Sequence, residues 1–184
     1  SSVRANTTAG FSIVSYTGTG TAGTIGHGLN ADLDMVIFKN RSRSAGSDWV
    51  VWFSEFAGNE RMRLNRDYEV GVDNGFMNAT LPTSSVLSVG TTYVTNEDTA
   101  TYVAYCWSEV PGFSKFGGYR GSATYDGPHI WCGFRPAFIL IKRSEYTGAG
   151  WILQDSKQVT HNPVNTAIYA NTDDDEAGES TSNC

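Results

Sequence analysis

Gly112-Phe113-Ser114, then Gly133-Phe134, then Phe138-Ile139-Leu140-Ile141-Lys142-Arg143-Ser144 replay phrases already used earlier in the chain. Their first appearance is Gly10-Phe11-Ser12, Gly28-Leu29 and Met35-Val36-Ile37-Phe38-Lys39-Asn40-Arg41-Ser42. Tyr16 and Gly18 answer to Tyr119 and Gly121, and Trp49-Val50-Val51 to Trp151-Ile152-Leu153. The offset stays between 102 residues (Gly10 to Gly112) and 105 (Gly28 to Gly133). A nearly constant period marks an internal duplication. It divides the chain into a lead-in over residues 1–9, a first repeat over 10–111 and a second over 112–184.

Outward from these phrases the chain reads as strands and turns. Phe11 to Tyr16, Met35 to Lys39, Trp49 to Phe56, Val86 to Val89 and Thr99 to Val110 are rich in β-branched and aromatic residues, as strands are. The continuous apolar run at Met35–Lys39 fits a strand buried on both faces. Met62 and Leu64 alternate with charge, the pattern of a half-buried strand. Gly and Asn/Asp turns interrupt these runs, as in Thr17–Gly28 and Asp73-Asn74-Gly75. No window of a dozen residues keeps helical apolar spacing unbroken. The expected fold is all-β, an antiparallel β-sandwich or jelly roll in two related halves with little or no helix.

The halves are unequal. Some 60 residues follow Trp49 before the second repeat opens, and they include the long Thr101–Val110 strand; 33 follow Trp151, ending in an acidic, polar tail. The second repeat therefore lacks a closing strand at its C-terminal end. Either the polypeptide continues, or a neighbouring chain fills the place by strand addition.

Composition narrows the function classes. The chain of 184 residues carries a net charge of −6, with 17% charged and 12% aromatic residues. An acidic chain without a basic patch argues against nucleic acid as a partner. No apolar run reaches the roughly 18–20 residues that cross a bilayer as a helix, so membrane insertion is not expected. Cys106, Cys132 and Cys184 form no metal-binding spacing, and the first two read as unpaired thiols within strand-like runs.

Chemistry is sparse. His27, between two glycines, reads as a structural turn residue in an exposed context; His129 and His161 form no zinc pattern with it. Glu55, Glu60, Glu109 and Asp155 are carboxylates in or beside strands, but no spacing pairs any two as a glycosidase requires. Gly18-Thr19-Gly20-Thr21-Ala22-Gly23 lacks the helix a dinucleotide loop needs and reads as a turn. Asp173-Asp174-Asp175-Glu176 lacks a calcium-loop spacing and reads as a solvated loop. Arg61, Arg63 and Arg66 read as a solvated strand face. The expectation is a protein with no catalytic residue, no cofactor and no metal. Aromatic rings that stack on sugars are the more informative group. Tyr119, Tyr125 and Tyr146, beside Gly-rich turns, are the glycan-contact candidates; Trp49, Trp52, Tyr68 and Trp131 are further aromatics available, each with a core reading against it.

Several phrases together carry a family resemblance: Val3-Arg4-Ala5-Asn6-Thr7-Thr8-Ala9-Gly10-Phe11-Ser12, Gly26-His27-Gly28-Leu29, Tyr105-Cys106-Trp107-Ser108-Glu109-Val110-Pro111-Gly112-Phe113-Ser114 and Gly133-Phe134-Arg135-Pro136-Ala137-Phe138. The chain resembles, over residues 3–170, a tandem module of tail-fibre and other virion proteins of aquatic bacteriophages, often joined to lectin-like jelly rolls. Where that module has a Pro after the His-Gly-Leu segment, this chain has Asn30-Ala31-Asp32-Leu33-Asp34. The resemblance implies a location in the virion and a structural and adhesive role. It implies copies of the chain itself, in a trimer or a larger symmetric assembly, and other virion proteins as partners, with host-surface glycans as ligand. Two alternatives fit the residues: a secreted lectin-like carbohydrate-binding module, and a capsid-decoration or fibril subunit completed by strand donation.

Overall fold

The computed structural model describes residues 1–43, 46–124, 127–158, 166–173 and 177–178. None of them is helical; they form strands that pair only antiparallel. In chain order the first repeat and its lead-in give β1 (Ser2–Asn6), β2 (Phe11–Thr17), β3 (Gly23–Gly26), β4 (Met35–Asn40) and β5 (Trp49–Phe53). β6 (Glu60–Arg63), β7 (Gly71–Val72), β8 (Val86–Val89) and β9 (Thr101–Trp107) follow. The second repeat gives β10 (Phe138–Lys142), β11 (Trp151–Asp155), β12 (Thr166–Tyr169) and β13 (Ala177–Gly178). The lead-in is thus no mere connector, since Val3 to Asn6 pair along β2.

The central sheet has seven strands in the order β1-β2-β9-β4-β5-β6-β7. β9 enters between β2 and β4, although it comes last in the repeat, because both of its faces have work to do. Tyr102, Ala104 and Cys106 on one face are fully buried, while Tyr105 and Trp107 on the other are half-buried. This is the period-2 alternation of a strand with distinct sides. Val14, Tyr16, Val36, Phe38, Val50 and Trp52 share the first face and make the main core with Tyr102 and Cys106. The two-stranded sheet of β3 and β8 supplies Ile25, Leu87 and Val89 to close it, and the intervening loops supply Leu29, Leu33, Phe76 and Met77. Burying one such large apolar side chain stabilises by about 1.5–3 kcal/mol.

The two phenols in this core are hydrogen-bonded, while the hydroxyls of Ser12 and Ser108 are buried without a partner. Tyr16 stacks on Tyr102 with centroids 5.0 Å apart and donates its hydroxyl to the Thr95 carbonyl at 2.6 Å. Tyr102 donates to the Tyr93 carbonyl at 2.8 Å and accepts from the Glu97 amide at 2.8 Å. Burial raises the pKa of both phenols, so they stay neutral. Burial likewise pushes the Cys106 thiol up to about 12, and Cys106 and Cys132 are both unpaired.

The second sheet, β10-β11-β12-β13, packs on the other face of the central one. Trp151 is its anchor. It is buried with Ile37, Val51 and Met62, against half-buried Trp49, Tyr105 and Leu140, and its indole donates to the Arg63 carbonyl at 2.8 Å. Backbone bonds from Val70 to Ser144 (2.8 Å) and from Gly148 to Asp67 (3.1 Å) tie the loops together. The result is a sandwich-type arrangement of antiparallel sheets.

The duplication is visible bond by bond. Lys39 lies opposite Trp49 and Met35 opposite Phe53; Lys142 lies opposite Trp151 and Phe138 opposite Asp155. Val51 faces Met62 as Leu153 faces Ile168, and Glu60 faces Val72 as Thr166 faces Gly178. The Asn65 side chain accepts from the Trp49 amide at 2.9 Å, and Asn171 from the Trp151 amide at 2.7 Å. Ser54 donates to the Asp34 carbonyl at 2.8 Å, and Ser156 to the Ala137 carbonyl at 2.9 Å. Strands β10–β13 are therefore β4–β7 built a second time in the same register.

Candidate functional site

Among the described residues, the second repeat does not reproduce the covering of its meander. In the first repeat β9 lies along the edge of β4, from Met35 opposite Trp107 to Asn40 opposite Tyr102. β10 is a terminal strand of its sheet among the described residues. The residues that β9, β8 and Phe76-Met77 cover in the first repeat have exposed counterparts in the second. Val36 is fully buried while Ile139 is 41% exposed; Ile25 is buried while Ile130 is 45% exposed. Phe138 and Phe113 reach 56% and 66%. Segment Phe113–Tyr119, the counterpart of β2, forms no strand, although Gly112 keeps the positive φ (+79°) of Gly10 (+61°).

The exposed aromatics gather in this half. Tyr119 and Tyr146 are both exposed, and the Arg143 guanidinium lies 4.6 Å from the Tyr146 ring centre. Tyr125, the third glycan candidate, lies outside the described residues. Trp131, at 79%, is the most exposed large apolar residue. Trp52 is core and Tyr68 is exposed beside Arg63. A second aromatic group was legible only in part. Phe11, Trp107, Tyr105 and Trp49 form a half-buried stripe across the face of the central sheet opposite the main core, where Trp151 packs, with successive ring centres 5.0, 6.4 and 6.3 Å apart. The alternation Val103-Tyr105-Trp107 places two of these on one side of β9; the cross-strand register that adds Phe11 and Trp49 is a tertiary fact.

The remaining candidates are occupied locally. Glu55 accepts from the Gly118 amide (3.0 Å), Glu60 from the Ala57 amide (2.8 Å), and Asp155 from the Lys157 amide (2.7 Å). Glu109 pairs with Lys115 at 2.9 Å, a bond that lowers the pKa of its carboxyl. His27 is fully buried rather than exposed; its Nε2 lies 3.1 Å from the Thr83 carbonyl, and burial lowers its pKa. The arginines are ion-paired: partly buried Arg61 pairs with Asp73, and partly buried Arg63 and exposed Arg66 both grip Asp48. Among the described residues no group of three His, Cys, Asp or Glu could hold a metal ion. Asp174, Asp175, Glu176, His161 and Cys184 lie outside the described residues. Asn40, part of an Asn-x-Ser sequon, is buried and donates to Tyr93 and Tyr102.

One family description matches the chain, and it does so over residues 1–184: a domain of unknown function, DUF7483. The chain belongs to this family. No curated protein and no solved structure matches it. The match extends over both repeats.

Proposed function

We propose that this protein is a structural and adhesive part of a bacteriophage virion appendage, a tail fibre or a similar element. The observation that carries the reading is the in-register repetition of one antiparallel meander. Repeats of this kind stack into rigid scaffolds whose units cannot each bury their apolar faces alone. The phrases shared with aquatic-phage virion modules support the same reading. Copies of the chain and other virion proteins are its expected partners. Many copies on one particle would raise weak individual contacts into firm attachment.

Host-surface glycans are the ligand class we assign to the exposed aromatics. A ring such as Tyr119, Tyr146 or Trp131 offers an apolar face to a pyranose. Immunogold labelling with antibodies raised against the 184-residue chain tests the location: label on the appendages of the encoding phage is expected, and bare purified virions would overturn it. A glycan array tests the ligand. The chain should retain glycans that Tyr146→Ala and Trp131→Ala lose, with folding unchanged because both side chains are exposed.

A further inference from the structure

In the first repeat the edge of β4 is occupied by β9. β9 sits between β2 and β4, and its Trp107 is flanked by Phe11 on one side and Met35 on the other. The counterparts of those two neighbours are Phe113 and Phe138, the two most exposed phenylalanines of the described residues. Among the described residues nothing pairs with the outer edge of β10, and Ile139 is exposed where Val36 is fully buried. An extended apolar edge is a template for a further strand.

We propose that β10 is an acceptor for an added antiparallel strand of β9's chemistry: extended, with Tyr, Ala and Cys alternating against Val, Tyr and Trp. The register follows from the first repeat. Phe138 faces the Trp107 position of the incoming strand, Ile139 the Cys106 position, Leu140 the Tyr105 position and Lys142 the Val103 position. Segment Phe113–Tyr119 then pairs along the far side of the new strand as β2 does along β9, closing both phenylalanines over the incoming Trp. A second copy of this chain cannot lend its own β9, because Tyr102, Ala104 and Cys106 are fully buried between β2 and β4. The strand comes from a segment of that chemistry outside the folded first repeat. This inference goes beyond the virion reading and stands without it, since particle labelling and strand capture succeed or fail separately.

The test uses the full 184-residue chain and a synthetic peptide with the sequence Thr99–Pro111. In a background of Cys132→Ser and Cys184→Ser, the variants I139C and L140C are each incubated with the peptide in a glutathione redox buffer. Directly opposed residues of an antiparallel pair bring Cα atoms within disulfide reach. I139C should capture the peptide through its Cys, L140C should not, and a scrambled peptide should be captured by neither. With the unaltered chain, the peptide should slow amide exchange in both β10 and Phe113–Tyr119. Equal capture by I139C and L140C, or no slowing of exchange in β10, would overturn the proposal. Preferential I139C homodimers would do the same, by showing a second copy's β10 as the occupant.

Discussion

Val36 and Ile139 hold the same place in two meanders of the same register, yet one is sealed from solvent and the other is two-fifths exposed. The difference is not in the strands themselves. Both are short apolar runs, each ending in Lys opposite a Trp whose amide bonds an Asn side chain. It lies in what arrives later in the chain. In the first repeat Phe76, Met77, β8 and β9 close over the meander; in the second, among the described residues, support comes from one face, through Trp151 and Leu140 against the first repeat. The pair teaches that the meander is a local product of its sequence, while burial is supplied from elsewhere.

The largest expected contrast is in core truncation. Phe38→Ala removes a fully buried ring set edge-on to Phe76 and should destabilise by about 3–5 kcal/mol in urea unfolding. Ile139→Ala in the second meander should change stability by no more than about 0.5 kcal/mol, because its side chain is already wet. Comparable losses would break the comparison.

Trp151→Ala should come next. The ring is buried between the sheets and its N–H holds the Arg63 carbonyl, so losing both should weaken the docking of the second meander by about 3 kcal/mol. Limited proteolysis should then cut faster after Gly112 while the first repeat stays intact.

The matched glycines give a smaller, sharper test. Gly10 and Gly112 both adopt positive φ, where any other residue costs about 1–2 kcal/mol. A Cβ at Gly10 would run into the Ser108 carbonyl, while at Gly112 it would meet nothing. Gly10→Ala should therefore cost clearly more than Gly112→Ala in thermal unfolding.

Acid should expose the smallest difference. Burial raises the Asp48 pKa, but the hydrogen bonds from Asn65 and Arg66 and the charges of Arg66 and Arg63 outweigh it, so the folded value is depressed. The stability this carboxylate contributes is complete above its unfolded pKa of about 4 and is lost as pH falls through the folded value. Gly150 stands at the matching place in the second repeat and carries no such group. Asp48→Asn should flatten the stability profile below pH 4 and leave the second meander's exchange rates unmoved.

The duplication, the strands and the all-β class were legible because apolar runs, alternation and Gly-marked turns are local signals. The register match was legible as far as Trp151-Ile152-Leu153. Its continuation through β12 and β13 was not, because Arg61-Met62-Arg63 and Ala167-Ile168-Tyr169 share pleat and position rather than residue type. His27 between two glycines looks like a turn tip; its burial depends on Ser85 and Thr83 arriving from far along the chain. Arg61, Arg63 and Arg66 alternate like a wet strand face, and only the fold brings Asp73 and Asp48 to them. Exposure at Tyr119 and Tyr146 followed from their Gly-rich surroundings, whereas the Phe11–Trp107–Tyr105–Trp49 stripe needed the sheet order.

The most direct measurement is residue-resolved amide hydrogen exchange on the free 184-residue chain, comparing β4 with β10. In β4, held by β5 on one side and β9 on the other, every amide from Val36 to Lys39 should be protected. In β10, only the alternate amides that face β11 should be, with the others exchanging as open chain does. Uniform protection along β10, equal to that of β4, would show that its edge is covered after all and would contradict the account.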